Sequence, residues 1–347
     1  MDLSYFNARV RGLKGALLGD EDYEAFLKLD DAERFHESLK STRYGPYIET
    51  AGARYSRAEE IVSEALRVNL SDTLSHLWKI SPPQARPLLK AVVSVWEVYN
   101  IKAIIRGIAR GVRRDEILGA VVPAGEFDRS AVKDLLGSRD LNDLVRFLDS
   151  WGSPYAKPVK AGLGSFTASG HIMDMEMNID RFIFGHLFST VGSAGLDGKV
   201  IRDFTVLRVD LQNILTLFKI AGEGFSRAGA GDFFMDGGGR LKKKEFFRLS
   251  LLKNREELIE SLVSVIRDAD IRDALSFVDP SEVALLGEKF DELAERRLAR
   301  LSIMEPLSVA LAASFIYSKV REVKNLRLLS RSKSFAIPES ETRRLLL

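Results

Sequence analysis

The sequence contains no cysteine among its 347 residues. This absence excludes a disulfide framework, a thiolate zinc site, an iron–sulfur cluster and a cysteine nucleophile. A surplus of one charge is also missing, because 51 Lys and Arg stand against 49 Asp and Glu, giving a net charge of +2. A balanced charge argues against nucleic acid as a partner, because proteins that bind nucleic acid usually carry a clustered basic surplus.

Long apolar runs are missing as well. The longest uncharged stretch, residues 182–196, is shorter than the ~20 residues that a spanning helix needs, and it is interrupted by glycines. The first residues lack a basic segment followed by an apolar one, so no secretory signal is expected. We therefore expect a cytosolic chain that does not cross a membrane.

Motifs for catalysis or metal binding are not found. The four histidines are far apart and lack metal-binding spacing: His36, His76, His171 and His186. Neither a nucleotide-binding P-loop nor a nucleophile elbow occurs. Glycines 237–239 precede several cations, but no strand leads into them, so a phosphate cradle is not expected. We predict no active site, no cofactor and no metal in this chain.

Three short basic runs, at residues 110–114, 242–244 and 327–333, are interpreted as solvated faces. A helical nucleic-acid-binding protein would use such runs, but the balanced overall charge does not favour this alternative. A helical adaptor remains open, since adaptors share this composition.

Helical periodicity dominates the chain and predicts an all-α fold. Residues 91–111 place Trp96, Ile101, Ile104 and Ile108 on one broad face, at a spacing that a strand cannot use. Similar stripes occur at residues 180–188, 202–220, 253–266, 283–303 and 307–329. Clusters of glycine and proline separate these segments.

A five-residue pattern occurs three times at nearly constant spacing. It reads Glu97-Val98-Tyr99-Asn100-Ile101, then Asp210-Leu211-Gln212-Asn213-Ile214, and then Glu322-Val323-Lys324-Asn325-Leu326. Other markers keep a similar period, for example residues 123–127 with 237–241 and residues 39–47 with 148–155. This self-similarity predicts three copies of one helical unit, which we place at residues 1–114, 115–228 and 229–347.

The acid and the asparagine of each motif lie three positions apart, on one helix face. Apolar neighbours surround Asn100 and Asn213, so both side chains are expected to be buried and to need hydrogen-bond partners. We interpret the pairs as structural, tying helices within one copy, rather than as contacts to another protein. The third pair, Glu322 and Asn325, is expected to be more exposed because Arg321 replaces an apolar residue.

These segments resemble the C subunit of archaeal and bacterial V/A-type ATPases, which is equivalent to the eukaryotic d subunit. The matching segments span nearly the whole chain: residues 5–11, 44–47, 100–107, 210–214, 237–239 and 322–327. The sequence departs from the family at residues 123–125, where a double glycine is usual, and at Leu215, where a basic residue is usual.

The resemblance implies three helical domains around a pseudo-threefold axis, forming a funnel-shaped socket. Such a funnel sits on the cytoplasmic mouth of the proteolipid ring and receives the central stalk of D and F subunits. It implies a single-copy, peripheral and non-catalytic rotor subunit that transmits torque for ATP-linked transport of protons or sodium ions. An adaptor outside rotary ATPases is the alternative interpretation.

Two arginines are candidate partner contacts. Arg106 and Arg110 lie beside Gly107 and Gly111, after the first motif. Because several cations cluster there, we expect both side chains to lie near a partner surface.

Overall fold

The computed structural model describes residues 3–122, 124–125, 127–191, 195–223, 227–277, 279 and 282–346. Within these residues the chain forms eighteen α-helices and one 3-10 helix and has no extended strand. An isolated bridge joins Ala124 to Phe127. The prediction of an all-α fold is confirmed. Among the described helices, none reaches the length and hydropathy that a bilayer-spanning segment requires.

The helices of the first half are α1 (Ser4–Lys14), α2 (Asp20–Leu27), α3 (Ala32–Lys40), α4 (Gly45–Gly52), α5 (Ala58–Ile80), α6 (Arg86–Ala109), α7 (Arg114–Ala120), α8 (Arg129–Leu135), α9 (Leu141–Ser150) and α10 (Ala156–Ser169). Those of the second half are α11 (Ile172–Thr190), α12 (Gly195–Glu223), α13 (Lys243–Leu249), α14 (Arg255–Val265), α15 (Ala269–Phe277), α16 (Val283–Met304), α17 (Ala310–Ser334) and α18 (Glu339–Leu345). The 3-10 helix covers Arg227–Phe233. The stripes predicted from periodicity lie in α6, α11, α12, α14, α16 and α17.

Short polar side chains begin several of the short helices. Asp31 accepts a hydrogen bond from the backbone N–H of Arg34 at the start of α3. Asp128 caps α8 in the same way, and Asn254 caps α14. These side chains satisfy backbone N–H groups that have no partner inside the helix, which stabilises each helix by about 1 kcal/mol.

The chain divides into two compact units. The first unit contains Met1–Ile183 and Phe315–Leu346, and the second contains Phe184–Ser314. The first unit therefore combines the beginning of the sequence with its end. The division into three copies stays a prediction.

The core of the first unit is built around α6, which is buried along most of its length. The Trp96 ring on α6 packs against the Tyr317 ring on α17, with ring centroids 4.5 Å apart. Near the end of α17, the Lys333 ammonium donates a hydrogen bond to the backbone carbonyl of Leu27 at 2.7 Å. The late helix α17 thus packs among elements from the first half of the chain.

The second unit is centred on α12 and α16. Both helices bury an apolar stripe, which includes Leu207 and Leu211 on α12 and Phe290 and Leu293 on α16. The Asp197 carboxylate near the start of α12 accepts a hydrogen bond from the Val309 N–H at 2.7 Å. This bond fixes the segment that follows α16.

Candidate functional site

Asn100 lies on α6 and is fully buried. Its side-chain amide donates to the Val122 carbonyl at 2.5 Å, and its side-chain oxygen accepts from the Val122 N–H at 2.8 Å. One side chain therefore satisfies both polar groups of a buried backbone unit. The bonds hold the segment after α7 against α6.

Asn213 on α12 makes the same arrangement in the second unit. It is fully buried, donates to the Met235 carbonyl at 2.9 Å and accepts from the Met235 N–H at 2.9 Å. In both motifs the partner lies 22 residues further along the chain. The two motifs therefore share geometry as well as sequence.

Asn325 on α17 departs from this arrangement. It remains buried at 5% exposed, so the expectation of a more exposed third motif is wrong. A side-chain hydrogen bond links it to Tyr23 on α2. Burial, followed by the negative charge of Glu322, raises the pKa of the Tyr23 phenol well above its usual range.

Glu97 lies on α6 and is buried, and its carboxylate accepts a hydrogen bond from the Tyr155 hydroxyl at 2.6 Å. Gly125 lies directly against the Glu97 side chain and has a φ of +59°. A Cβ at this position would collide with the carboxylate, and the positive φ also favours glycine. Pro123 and Glu126, which belong to the repeat marker at residues 123–127, lie outside the described residues.

Glu322 on α17 binds one hydroxyl, one ammonium and one backbone N–H. Its Oε1 accepts from the Tyr44 hydroxyl at 2.6 Å and from the Lys319 ammonium at 2.7 Å. Its Oε2 accepts from the Leu18 N–H at 2.6 Å, and Lys319 also lies 2.8 Å from the Tyr44 hydroxyl. This buried cluster joins α17 to segments near the beginning of the chain.

The charges of this cluster act on its titratable groups. Burial, together with the negative charge of Glu322, raises the pKa of Tyr44 well above its ordinary value. Burial lowers the pKa of Lys319, although Glu322 opposes this shift. The tyrosine is therefore held in its protonated form as a hydrogen-bond donor.

Asp210 on α12 has no tyrosine partner and instead accepts from backbone. The N–H groups of Gly239, Arg240 and Leu241 lie 3.0, 3.0 and 3.2 Å from its carboxylate oxygens. The Arg240 guanidinium adds an ion pair at 3.2 Å and binds Asp268 at 2.7 Å. The glycine run at 237–239 thus continues into backbone N–H groups that bind the carboxylate of Asp210.

The motif contacts correct one interpretation. The motif pairs were expected to tie helices of their own copy, but apart from Lys319 the partners named here lie in the copy that follows. With the predicted boundaries, Glu97 binds Tyr155 of the second copy and Asp210 binds residues 239–241 of the third. Glu322 of the third copy binds Leu18 and Tyr44 of the first.

Arg106 and Arg110 differ in their surroundings. Arg106 forms a two-point ion pair with Glu176, at 2.5 and 2.8 Å, in which the carboxylate is buried and the arginine is 38% exposed. Arg110 is exposed at the end of α6. Arg110 is thus the more exposed of the two, and contact of either arginine with a partner stays a prediction.

The basic runs are only partly solvated. Residues 110–114 and 242–244 are exposed, as predicted. The interpretation is wrong for the run at 327–333, where Arg327 has buried guanidinium nitrogens and Ser332 is buried. Alternation of buried and exposed faces on α17 explains the difference, because a basic run in the sequence spreads around a helix.

Sequence reasoning missed the partners of the motif acids. Tyr44 and Tyr155 occur in two segments that resemble each other, and this resemblance was the available signal. Lys319 stands three positions before Glu322, a spacing typical of helical ion pairs. Within the described residues, no group of three or more histidine and acidic side chains is placed to hold a metal ion.

Comparison with known proteins places the chain among ATP synthase subunits. The family model for the ATP synthase (C/AC39) subunit matches residues 6–345. The C subunit of the A-type ATP synthase of Haloquadratum walsbyi is 26% identical over 340 residues, which cover 97% of this chain and 96% of that protein. The C subunits of the A-type ATP synthases of Methanocaldococcus jannaschii and Archaeoglobus fulgidus are 24% and 26% identical and cover 99% and 98% of this chain, or 86% and 95% of their own lengths.

Proposed function

The chain belongs to the family of ATP synthase (C/AC39) subunits, and on this basis we propose that it is the non-catalytic rotor subunit of a V/A-type rotary ATPase. In this role it couples the central stalk of D and F subunits to the proteolipid ring. It acts as a single copy in a hetero-oligomeric complex, peripheral to the membrane on its cytoplasmic side. Its work is to transmit torque for ATP-linked transport of protons or sodium ions.

The extent of the family match supports this role. The match begins near the first residue and ends near the last, and the relatives named as C subunits of A-type ATP synthases align over most of their own lengths. The resemblance is therefore not confined to one domain that unrelated proteins could share.

The motif contacts are the structural observation that carries the proposal. Glu97, Asp210 and Glu322 each bind residues of the following predicted copy, and the third acid returns to the first copy. We infer from this pattern that residues 1–114, 115–228 and 229–347 form three domains closed around a pseudo-threefold axis, as a socket requires. Buried charged hydrogen bonds of this kind are short-ranged and directional, so they resist twisting between neighbouring domains.

Affinity purification tests this proposal. The chain is tagged and recovered from its native membranes after mild detergent extraction, and co-eluting proteins are identified by mass spectrometry. Stalk subunits and a proteolipid are expected in the eluate. Clean recovery of other soluble proteins without either would overturn the role at the rotor and favour a helical adaptor.

A further inference from the structure

Arg327 on α17 is half-buried, and its guanidinium has no carboxylate partner among the described residues. One of its nitrogens, Nη1, donates to the Val121 carbonyl at 3.4 Å. Its Nε and Nη2 are buried and have no hydrogen-bond partner among the described residues. A guanidinium remains charged at neutral pH, and a buried charge without acceptors is strongly unfavourable.

A second arginine increases the local positive charge. Arg67 on α5 is 3% exposed and pairs with Glu64 through Nη2, whereas its Nη1 is buried and has no partner among the described residues. Burial and then the positive charge of Arg67 lower the pKa of Arg327 to about 10. Glu64 therefore pairs with Arg67, and no carboxylate of the described residues pairs with Arg327.

In the first motif, the cation at the position corresponding to Arg327 has an acidic partner. Lys102 stands five residues after Glu97, as Arg327 stands five residues after Glu322. The Lys102 ammonium pairs with the Asp180 carboxylate on α11 at 2.5 Å, and both residues are buried. The first motif thus places a cation and an acid together in the same helical setting.

Helix α5 corresponds to α11 in the sequence. Residues 76–78 read His-Leu-Trp and residues 186–188 read His-Leu-Phe. By this match, Leu70 on α5 stands where Asp180 stands on α11. By this comparison the third motif has the cation without the acid, whereas the second motif has Leu215 at the position of the cation.

We propose that Arg327, together with Arg67, binds an oxyanion supplied from outside the chain, of the class of phosphate or a carboxylate. The Nε and Nη2 edge of a guanidinium matches two oxygens of such a group in a two-point hydrogen bond. Arg327 is itself half-buried, and Tyr99, with which it interacts electrostatically, is 41% exposed, so the site lies near the surface. Because Nε and Nη2 are buried, the proposal requires neighbouring side chains to shift when the anion binds. The proposal does not depend on the role in a rotary ATPase.

Thermal unfolding of the full-length chain, followed by circular dichroism, tests for a free anion. Phosphate is raised while chloride is adjusted to hold the ionic strength constant. Because phosphate also stabilises proteins by exclusion from their surface, the wild type is compared with Arg327→Met and with Arg331→Met, an exposed control on α17. We expect a saturable rise in melting temperature that Arg331→Met retains. In Arg327→Met, the phosphate concentration that gives half of this rise is expected to be at least about tenfold higher than in the wild type. Arg327→Lys, which keeps the charge, is expected to lie between the wild type and Arg327→Met.

A carboxylate from a partner protein gives a different result. In that case phosphate affects wild type and Arg327→Met equally, but Arg327→Met lowers the recovery of co-purifying subunits and Arg331→Met does not. The proposal is overturned if the two variants match each other both in their phosphate response and in partner recovery. If no partner is recovered at all, the phosphate response alone decides, so failure of the proposed function is distinguishable from failure of this site.

Discussion

At the scale of single residues, one asparagine side chain takes the place of two backbone partners. Asn100 bonds both the N–H and the carbonyl of Val122, and Asn213 does the same at Met235. No other polar side chain of this size carries a donor and an acceptor in fixed planar geometry, apart from the longer glutamine. The sequence requirement at these positions is therefore narrow.

Replacing either asparagine by alanine is expected to leave one buried N–H and one buried carbonyl without partners. We expect Asn100→Ala and Asn213→Ala each to lower the free energy of unfolding by about 2–4 kcal/mol, measured by urea denaturation. Asn142→Ala, an exposed position on α9, is the matched control. An unchanged unfolding curve for both buried variants would contradict the structural role.

The Tyr44 hydroxyl makes stability depend on pH. Its pKa is raised, so the folded chain keeps a proton that the unfolded chain loses above pH 10.0. The unfolded state then binds fewer protons, and the free energy of unfolding falls as the pH rises through this value. Tyr44→Phe removes this titration. The free energy of unfolding should therefore fall less steeply with pH in this variant, by about 1.4 kcal/mol per pH unit.

The measurement is urea unfolding at a series of alkaline pH values. Lys319 acts in the opposite direction, because its lowered pKa makes the unfolded state bind more protons below pH 10.5. Because Lys319 contacts the Tyr44 hydroxyl, the comparison is repeated in a Lys319→Met background, where the difference isolates the tyrosine. Tyr55→Phe, at an exposed position, is the control. Parallel curves for wild type and Tyr44→Phe would refute the assignment.

At the scale of helices, close approach depends on small residues at particular contacts. Gly162 on α10 is buried, and a Cβ there would lie 2.8 Å from the Met175 Cα on α11. Backbone cannot give way as a flexible side chain can. The two helices therefore touch at a point where only glycine fits.

Gly162→Ala is expected to force these helices apart and to lower the free energy of unfolding by about 1–3 kcal/mol. Gly164→Ala is the matched variant on the same helix, because a Cβ there meets nothing within 4 Å. This second change should instead stabilise the chain by about 0.5–1 kcal/mol. Equal effects of the two changes, measured by thermal unfolding, would count against the close contact.

The helices themselves could be predicted from sequence, because an amphipathic stripe such as that of α6 needs only local information. The burial of Asn100 followed from its apolar neighbours in the same way. The partners did not follow, because Tyr155 and Leu18 approach the motif acids through the folding of distant segments. The burial of Arg327 was missed for the same reason, since a basic run reveals nothing of what packs against each face.

At the scale of the whole molecule, variants of Arg110 and Arg106 distinguish an effect on assembly from an effect on stability. We expect Arg110→Glu to lower the recovery of co-purifying subunits without changing the melting temperature, because its side chain is exposed. Arg106→Glu should also destabilise the chain, because the buried Glu176 carboxylate loses its partner.

Lys157→Glu, an exposed cation on α10, is the control for a general effect of charge. Assembly is measured by pull-down, and stability by thermal unfolding of the isolated chain. Unchanged recovery when both arginines are reversed would rule out a partner surface at this position.

The first unit cannot be finished while the ribosome is still making the middle of the chain. Its early part ends at Ile183 and its last part begins at Phe315, so all of residues 184–314 must be synthesised in between. At ordinary translation rates this interval lasts roughly ten seconds. Throughout that time the apolar surface that α17 will cover, including Trp96, is open to solvent. The Tyr44 hydroxyl also lacks its hydrogen bond to Glu322, which has not yet been synthesised. We expect chaperones that shield apolar surface to bind such a nascent chain, and to bind more strongly to a product truncated before Phe315, which never covers this surface.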